Sequence, residues 1–198
     1  MAFFTAIGLI SNDIVRRETK NGVVTTFRLE TGAPRGRRLW IDVECWGHLA
    51  GNLSRYGEKG RAVSVAGRLA ERSWLDRSTN HHRSRLLVVA SDISLENREW
   101  TPLILENQLV VAGQVSTPIT HRTHRSWQVV SFRVRVRTRR SDCSSLDLHC
   151  EAWRPGKDDS PAGLQEGRLT ALCGSVRFDS DAKSLVLVAR RLGGSTTD

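Results

Sequence analysis

Short stretches of alternating apolar and polar residues, rather than helical periodicity, organise this chain. In the first half they cover residues 3–12, 23–31, 38–46, 61–73 and 85–95, each rich in β-branched or aromatic residues and bounded by Gly, Asn, Asp or Pro. A period of two puts one face of each stretch on a core and the other in water, which predicts five strands. In 48–57 the period changes. Leu49, Leu53 and Tyr56 fall at i, i+4 and i+7 and Gly57 follows, so a short helix is expected between the third and fourth strands. The second half gives strands at 108–116, 128–138, 146–153, 168–178 and 184–192. Residues 154–161 stand where its helix belongs, and Pro155, Gly156 and Pro161 leave room for a turn at most.

The two halves also share their wording. Ala6-Ile7-Gly8-Leu9-Ile10 returns as Val111-Ala112-Gly113-Gln114-Val115, an offset of 105. Glu44-Cys45-Trp46 returns as Glu151-Ala152-Trp153, and Gly67 at the end of the fourth-strand phrase as Gly174, both at 107; the last strand falls back to 99. Drift confined to the segments between strands is what loop insertions and deletions do to two copies of one small domain. Three strands, a helix and two strands match the oligonucleotide-binding (OB) barrel, whose helix sits between strands three and four. The expected fold is therefore all-β with one short helix: two tandem five-stranded OB-fold Greek-key barrels, at 1–97 and 107–194, with a linker at 98–106 and a tail at 195–198.

No apolar run is long enough to span a membrane, and the start of the chain lacks the pattern of a signal peptide. A cytoplasmic, nucleoid-associated location is expected. Cys45, Cys143, Cys150 and Cys173 show no CxxC spacing and three lie in apolar strand patterns, so they read as small core residues of a reducing compartment. His81, His82, His121 and His124 sit among arginines that would repel a dication. No metal or other cofactor is expected. A Gly-rich phosphate loop, HExxH, a nucleophile elbow and a paired carboxylate motif are all missing, which argues against an enzyme.

Charge points elsewhere. Thirty basic residues against twenty-one acidic ones give a net +9. The excess is +4 up to Glu106 and +5 beyond it, so each repeat carries its own share of a surface for an anionic partner.

Aromatic positions sharpen the picture. Trp40 and Trp46 lie six residues apart on the third strand and point the same way, while Ile41, Val43 and Cys45 line the barrel interior. Both indoles are thus expected on an open surface unless a loop or subunit interface shields them. Trp74 lies beyond the fourth strand in a polar hairpin with Arg72, Arg77 and Arg83, where guanidinium groups could hold phosphates while the indole stacks on a base. The second repeat's hairpin, 178–183, is short and acidic. That repeat offers instead Arg133, Arg135 and Arg137 on one strand face, preceded by Trp127, which reads as a phosphate track.

Residues 6–95 resemble the bacterial single-stranded DNA-binding protein family. The likeness rests on Ile7-Gly8-Leu9-Ile10, Phe27, Trp40-x5-Trp46-Gly47 with Leu49, Lys59-Gly60, Gly67-Arg68-Leu69 and Arg72-Ser73-Trp74-x-Asp76. The resemblance implies base stacking at Trp40, Trp46 and Trp74. A further family aromatic in the loop after strand two has no counterpart here; that loop is basic, with Arg35, Arg37 and Arg38. The second repeat is similar more loosely: Trp153 matches Trp46, but Asp147 stands where Trp40 would be. Some family members carry two OB domains per chain and dimerise to present four, so a homodimer is implied. The family commonly finishes in an acidic tip with a terminal Phe that recruits other enzymes, whereas the sequence here closes on Gly193-Gly194-Ser195-Thr196-Thr197-Asp198. Recruitment is then expected to be absent or supplied by another protein.

The expected function is sequence-tolerant binding of single-stranded DNA in replication, recombination or repair, with proteins of those processes as further partners. Two alternatives stand beside it: an OB-fold protein-interaction module of a replication-initiation or primosome complex, and a single-stranded RNA binder.

Overall fold

The computed structural model describes residues 1–33, 36–96, 105–137, 145–155, 164–179 and 184–194. The chain divides into one compact unit, Phe3–Asn107, and a second formed by Gln108–Asp198 with Met1–Ala2.

In the first unit the strands are β1 (Ala2–Ile10), β2 (Val15–Thr19), β3 (Gly22–Ala33), β4 (Arg37–Trp46), β5 (Ala62–Asp76) and β6 (His81–Leu95), with helix α1 (His48–Tyr56) between β4 and β5. Hydrogen bonding orders them β2-β3-β4-β6-β5-β1, and β1 returns to pair with β3, so the sheet closes. All pairings are antiparallel except β4 with β6. Alternate residues fill the barrel as the pattern requires: Phe4, Ile10, Phe27, Leu29, Ile41, Val43, Cys45, Val63, Val65 and Val88 are buried. The closure is tight at Gly8, where an added Cβ would stand 2.2 Å from the Glu30 carbonyl oxygen.

α1 covers one end of this barrel. Ala50 and Leu53 are its buried residues, and the buried Thr25 hydroxyl donates to the Ala50 carbonyl at 3.0 Å. Tyr56, expected on the buried face, is exposed, with Arg55 5.8 Å above its ring. The helix ends one residue later, where Gly57 N–H bonds the Leu53 carbonyl at 2.8 Å.

The second unit repeats the plan with β7 (Glu106–Val115), β8 (Thr120–His124), β9 (Trp127–Arg137), β10 (Ser145–Pro155), β11 (Leu169–Asp179) and β12 (Ser184–Gly194). Their order is β7-β11-β12-β10-β9-β8, and β7 closes onto β9. Gly113 takes the place of Gly8: a Cβ there would meet the Arg135 carbonyl oxygen at 2.4 Å. A register shift follows Ala66 in β5 and Cys173 in β11, at the repeated Gly67 and Gly174. Of residues 154–161, where the second helix was expected to be lost, the first two end β10 and 156–161 lie outside the described residues, as do 98–104 of the expected linker and the tail 195–198.

Each barrel has one strand more than the pattern predicts. β2 and β8 are short strands that, among the described residues, pair only with β3 and β9. β2 is exposed at all five residues, so it leaves no apolar alternation to read.

Candidate nucleic-acid interface

β4 turns Leu39, Ile41, Val43 and Cys45 inward and Trp40, Asp42, Glu44 and Trp46 outward. Trp40 is 53% exposed and Trp46 half-buried. Trp74, 44% exposed, was expected in a hairpin loop; β5 and β6 instead run on to Asp76 and His81, and Trp74 lies within the ladder opposite Arg83. A strand fixes the indole plane better than a loop, because its neighbours on both sides are held by register. The Asp76 carboxylate, accepting from the Ser78 hydroxyl at 2.6 Å and its N–H at 3.0 Å, holds the turn and titrates below its ordinary range for that reason.

A chain of contacts joins Trp74 to the Trp40 face. The Arg85 guanidinium lies 5.9 Å from the Trp74 ring centroid and donates to Asp42 Oδ2 at 2.8 Å. Asp42 Oδ1 accepts from Arg28 Nε at 3.1 Å, and Asp42 is two residues from Trp40 on the same face of β4. Three tryptophans from two strands therefore share one outer sheet surface.

The arginines expected around them are mostly paired. Arg38 holds Glu30, Arg72 holds Glu44 at 2.8 Å and Arg83 holds Asp76 at 2.8 Å. Arg37 and Arg77 are exposed and carry no ion pair among the described residues; Arg35 lies outside those residues. Ion pairs this open to water contribute little, so a phosphate can replace the carboxylate at small cost. Arg28 and Arg85 were missed in the sequence, and so was Arg17, which stands in register with Val24, itself opposite Trp46. Parity with the tryptophans would have flagged Asp42 and Glu44; cross-strand partners leave no such signal.

On the second barrel Arg133, Arg135 and Arg137 do point outward and are exposed. The ladder is not purely cationic, however. β10 sets Asp147 opposite Arg135, and its two oxygens accept from Arg135 at 3.0 and 3.1 Å. Arg133 and Arg137 face His149 and Ser145 and have no ion pair among the described residues. Trp127 is exposed, whereas Trp153 is half-buried and donates from Nε1 to Glu151 Oε2 at 3.1 Å. Glu151 is only 1% exposed although it lies on the outer face, because Arg122 and Arg177 also bond it, at 2.6 and 3.0 Å. The structure thus holds Trp153 by its edge. Nearby, burial lowers the pKa of His149, Arg133 and Arg177 add to this, and Glu151 and Asp179 oppose it.

Residues 1–96 match the single-strand binding protein family. The first repeat is thus similar to that family over its whole length. Single-stranded DNA-binding protein 1 of Chlorobaculum tepidum is 37% identical over an alignment of 98 positions that covers 45% of this chain and 60% of that relative. The chain thus spans about three fifths of the length of the curated relative it matches. Among solved structures, the wild-type single-stranded DNA-binding protein of Thermus aquaticus aligns over 100% of this chain and 94% of its own, with a TM-score of 0.76 and 21% identity. A deletion mutant of the same protein gives 0.74 and 20%, over 100% of this chain and 96% of its own. At that identity the likeness bears on fold alone, and it covers the second repeat, which the family match does not reach. Among the described residues no group of His, Cys, Asp and Glu is arranged to hold a metal, and no helix is long and apolar enough to cross a membrane.

Proposed function

We propose that this protein binds single-stranded DNA with little regard to sequence and serves replication, recombination or repair. The observation that carries the reading is the shared outer face of Trp40, Trp46 and Trp74, linked through Asp42 and Arg85 and rimmed by Arg17, Arg28, Arg38, Arg72 and Arg83. Indole faces accept any base, and arginines follow the backbone, which gives affinity without a code. The family match of the first repeat, and the name of its Chlorobaculum tepidum relative, support the same ligand. The second barrel contributes phosphate contacts from Arg133 and Arg137, with Arg135 released from Asp147, and stacking at Trp127; Trp153 supports the face rather than a base. A homodimer presenting four barrels is the assembly this reading takes.

The test is titration with oligo-dT. Tryptophan fluorescence is quenched, Trp74→Ala weakens binding by roughly tenfold or more, as loss of one stacked base of ~1–3 kcal/mol requires, and affinity falls steeply with salt. Equal affinity for duplex and single strands would sink the reading. Preference for oligo-U in competition would redirect it to RNA, and solution mass with and without oligo-dT checks the dimer.

A further inference from the structure

The first barrel has a second basic surface, on the far side of β2 from the tryptophans. Consecutive residues of a strand point to opposite faces. Arg17 is in register with Val24 and so stands on the Trp46 side; Arg16 is in register with Thr25, whose hydroxyl bonds the Ala50 carbonyl and Ser54 of α1. Arg16 therefore belongs to the α1 side. There it lines an open groove of about 780 Å³ together with His48, Gly51, Asn52, Ser54 and Arg55.

Two of these six residues are arginines, three are neutral hydrogen-bonding groups (His48, Asn52 and Ser54), and none is a carboxylate. Glu18 pairs with Arg16 at 3.2 Å with both side chains more than half exposed, an arrangement that a phosphate displaces readily. No indole or phenyl ring lines the groove, so it lacks the broad aromatic surfaces that the tryptophan face offers to bases. β2 itself pairs only with β3 among the described residues, and every one of its five residues is exposed. A polymer lying on Trp46 thus has an uncluttered edge to turn round, with arginine on both sides of it.

We infer that the groove between β2 and α1 is a second anion site that takes the sugar-phosphate backbone of single-stranded DNA as it leaves the stacking face and passes round β2. The inference rests on the proposed DNA-binding function and extends it: the tryptophan face holds bases, the groove holds phosphates only, and together they lengthen the bound segment. Short oligonucleotides that fill the stacking face do not reach the groove, while longer ones do.

Gly51 supplies a clean probe. Nothing lies within 4 Å of a Cβ added there, and glutamate is a better helix former than glycine. Gly51→Glu places a carboxylate in the groove without crowding the barrel, Gly51→Ala is its uncharged control, and Arg16→Ala with Arg55→Ala removes the cations. Binding is measured with oligo-dT of roughly 8 and roughly 30 nucleotides, lengths below and well above the reach of one OB face. The expected result is a loss of roughly fivefold or more for the long oligonucleotide with Gly51→Glu and with the double variant, unchanged affinity for the short one, and Gly51→Ala like wild type. The slope of log affinity against log salt for the long oligonucleotide should also fall by about one per lost contact. Wild-type affinity of Gly51→Glu for both lengths, or an equal loss for both, overturns the inference. Unchanged short-oligonucleotide binding in Trp40→Ala and Trp74→Ala would instead overturn the stacking reading on which the groove depends.

Discussion

Arg85 sits over Trp74, 5.9 Å from guanidinium carbon to ring centroid, while its Nη1 donates to Asp42 Oδ2 at 2.8 Å. One cation thus serves an indole face and a carboxylate at once, and the carboxylate also holds Arg28. The arrangement keeps the outer face ordered when no polynucleotide is present. Under the proposed function, it also sets Asp42 against phosphate for two guanidinium groups.

Neutralising that competitor should therefore help the ligand. Asp42→Asn is expected to tighten oligo-dT binding by roughly threefold or more, the value of one exposed ion pair, and to do so most at low salt. Weaker binding at every salt concentration would mean that Asp42 matters for aligning Arg85 rather than for opposing phosphate.

Glu151 makes the opposite case. Its carboxylate is buried under Arg122, Arg177 and the Trp153 indole N–H, so its removal leaves Arg177, whose side chain is only 19% exposed, with Asp179 at 3.6 Å as its remaining acid. Glu151→Ala should cost on the order of 2–3 kcal/mol in chemical denaturation. This is below the ~3–5 kcal/mol of a fully buried pair because Arg122 can turn to water. Glu44→Ala, at the equivalent place in the first repeat, loses the more open contact with Arg72 and should cost less.

His149 gives the second barrel a pH dependence. Burial favours its neutral form, so the folded chain binds its proton at lower pH than the unfolded chain, which does so near about 6.5. Stability is accordingly retained above that pH, falls as pH drops through it, and levels off below the folded pKa. Thermal denaturation between about pH 7.5 and 5.5 should record the decline, and His149→Gln should flatten it.

Thiol chemistry reports on the two cores. Burial pushes the Cys45 thiol up to about 12, with Glu44 adding to it, and raises Cys150 as well. A maleimide near neutral pH should leave both unlabelled in the native protein and label them on unfolding, while the partly exposed Cys173 reacts first of these three.

Most of the barrel plan was legible because each long strand buries one face. Ile41, Val43 and Cys45 against Trp40 and Trp46, or Phe132, Val134 and Val136 against Arg133, Arg135 and Arg137, write their orientation into every second residue. β2 escaped because Val15-Arg16-Arg17-Glu18-Thr19 buries nothing; only the Asn21-Gly22 turn before β3 marked the hairpin. The length of β5 and β6 escaped for a like reason, since their outer ends, with Trp74 between Ser73 and Leu75, stand in solvent on both faces.

Charge was the least legible layer. Sign alternates across strands rather than along them, so the carboxylate of Asp147 opposite Arg135, or of Asp42 between Arg28 and Arg85, emerges only once register is known. Read one strand at a time, Arg133 to Arg137 looks like an unbroken row of positive charge. Folded, its middle member is already engaged.

The repeated phrase Glu44-Cys45-Trp46 and Glu151-Ala152-Trp153 carries a last consequence. In the first copy the acid takes one guanidinium and, among the described residues, does not bond the indole ring nitrogen; in the second it gathers two guanidiniums and the indole as well. A gene duplication can thus give its twin products different temperaments, one receptive and one self-contained, by altering what surrounds an inherited tripeptide while the barrel beneath stays as it was.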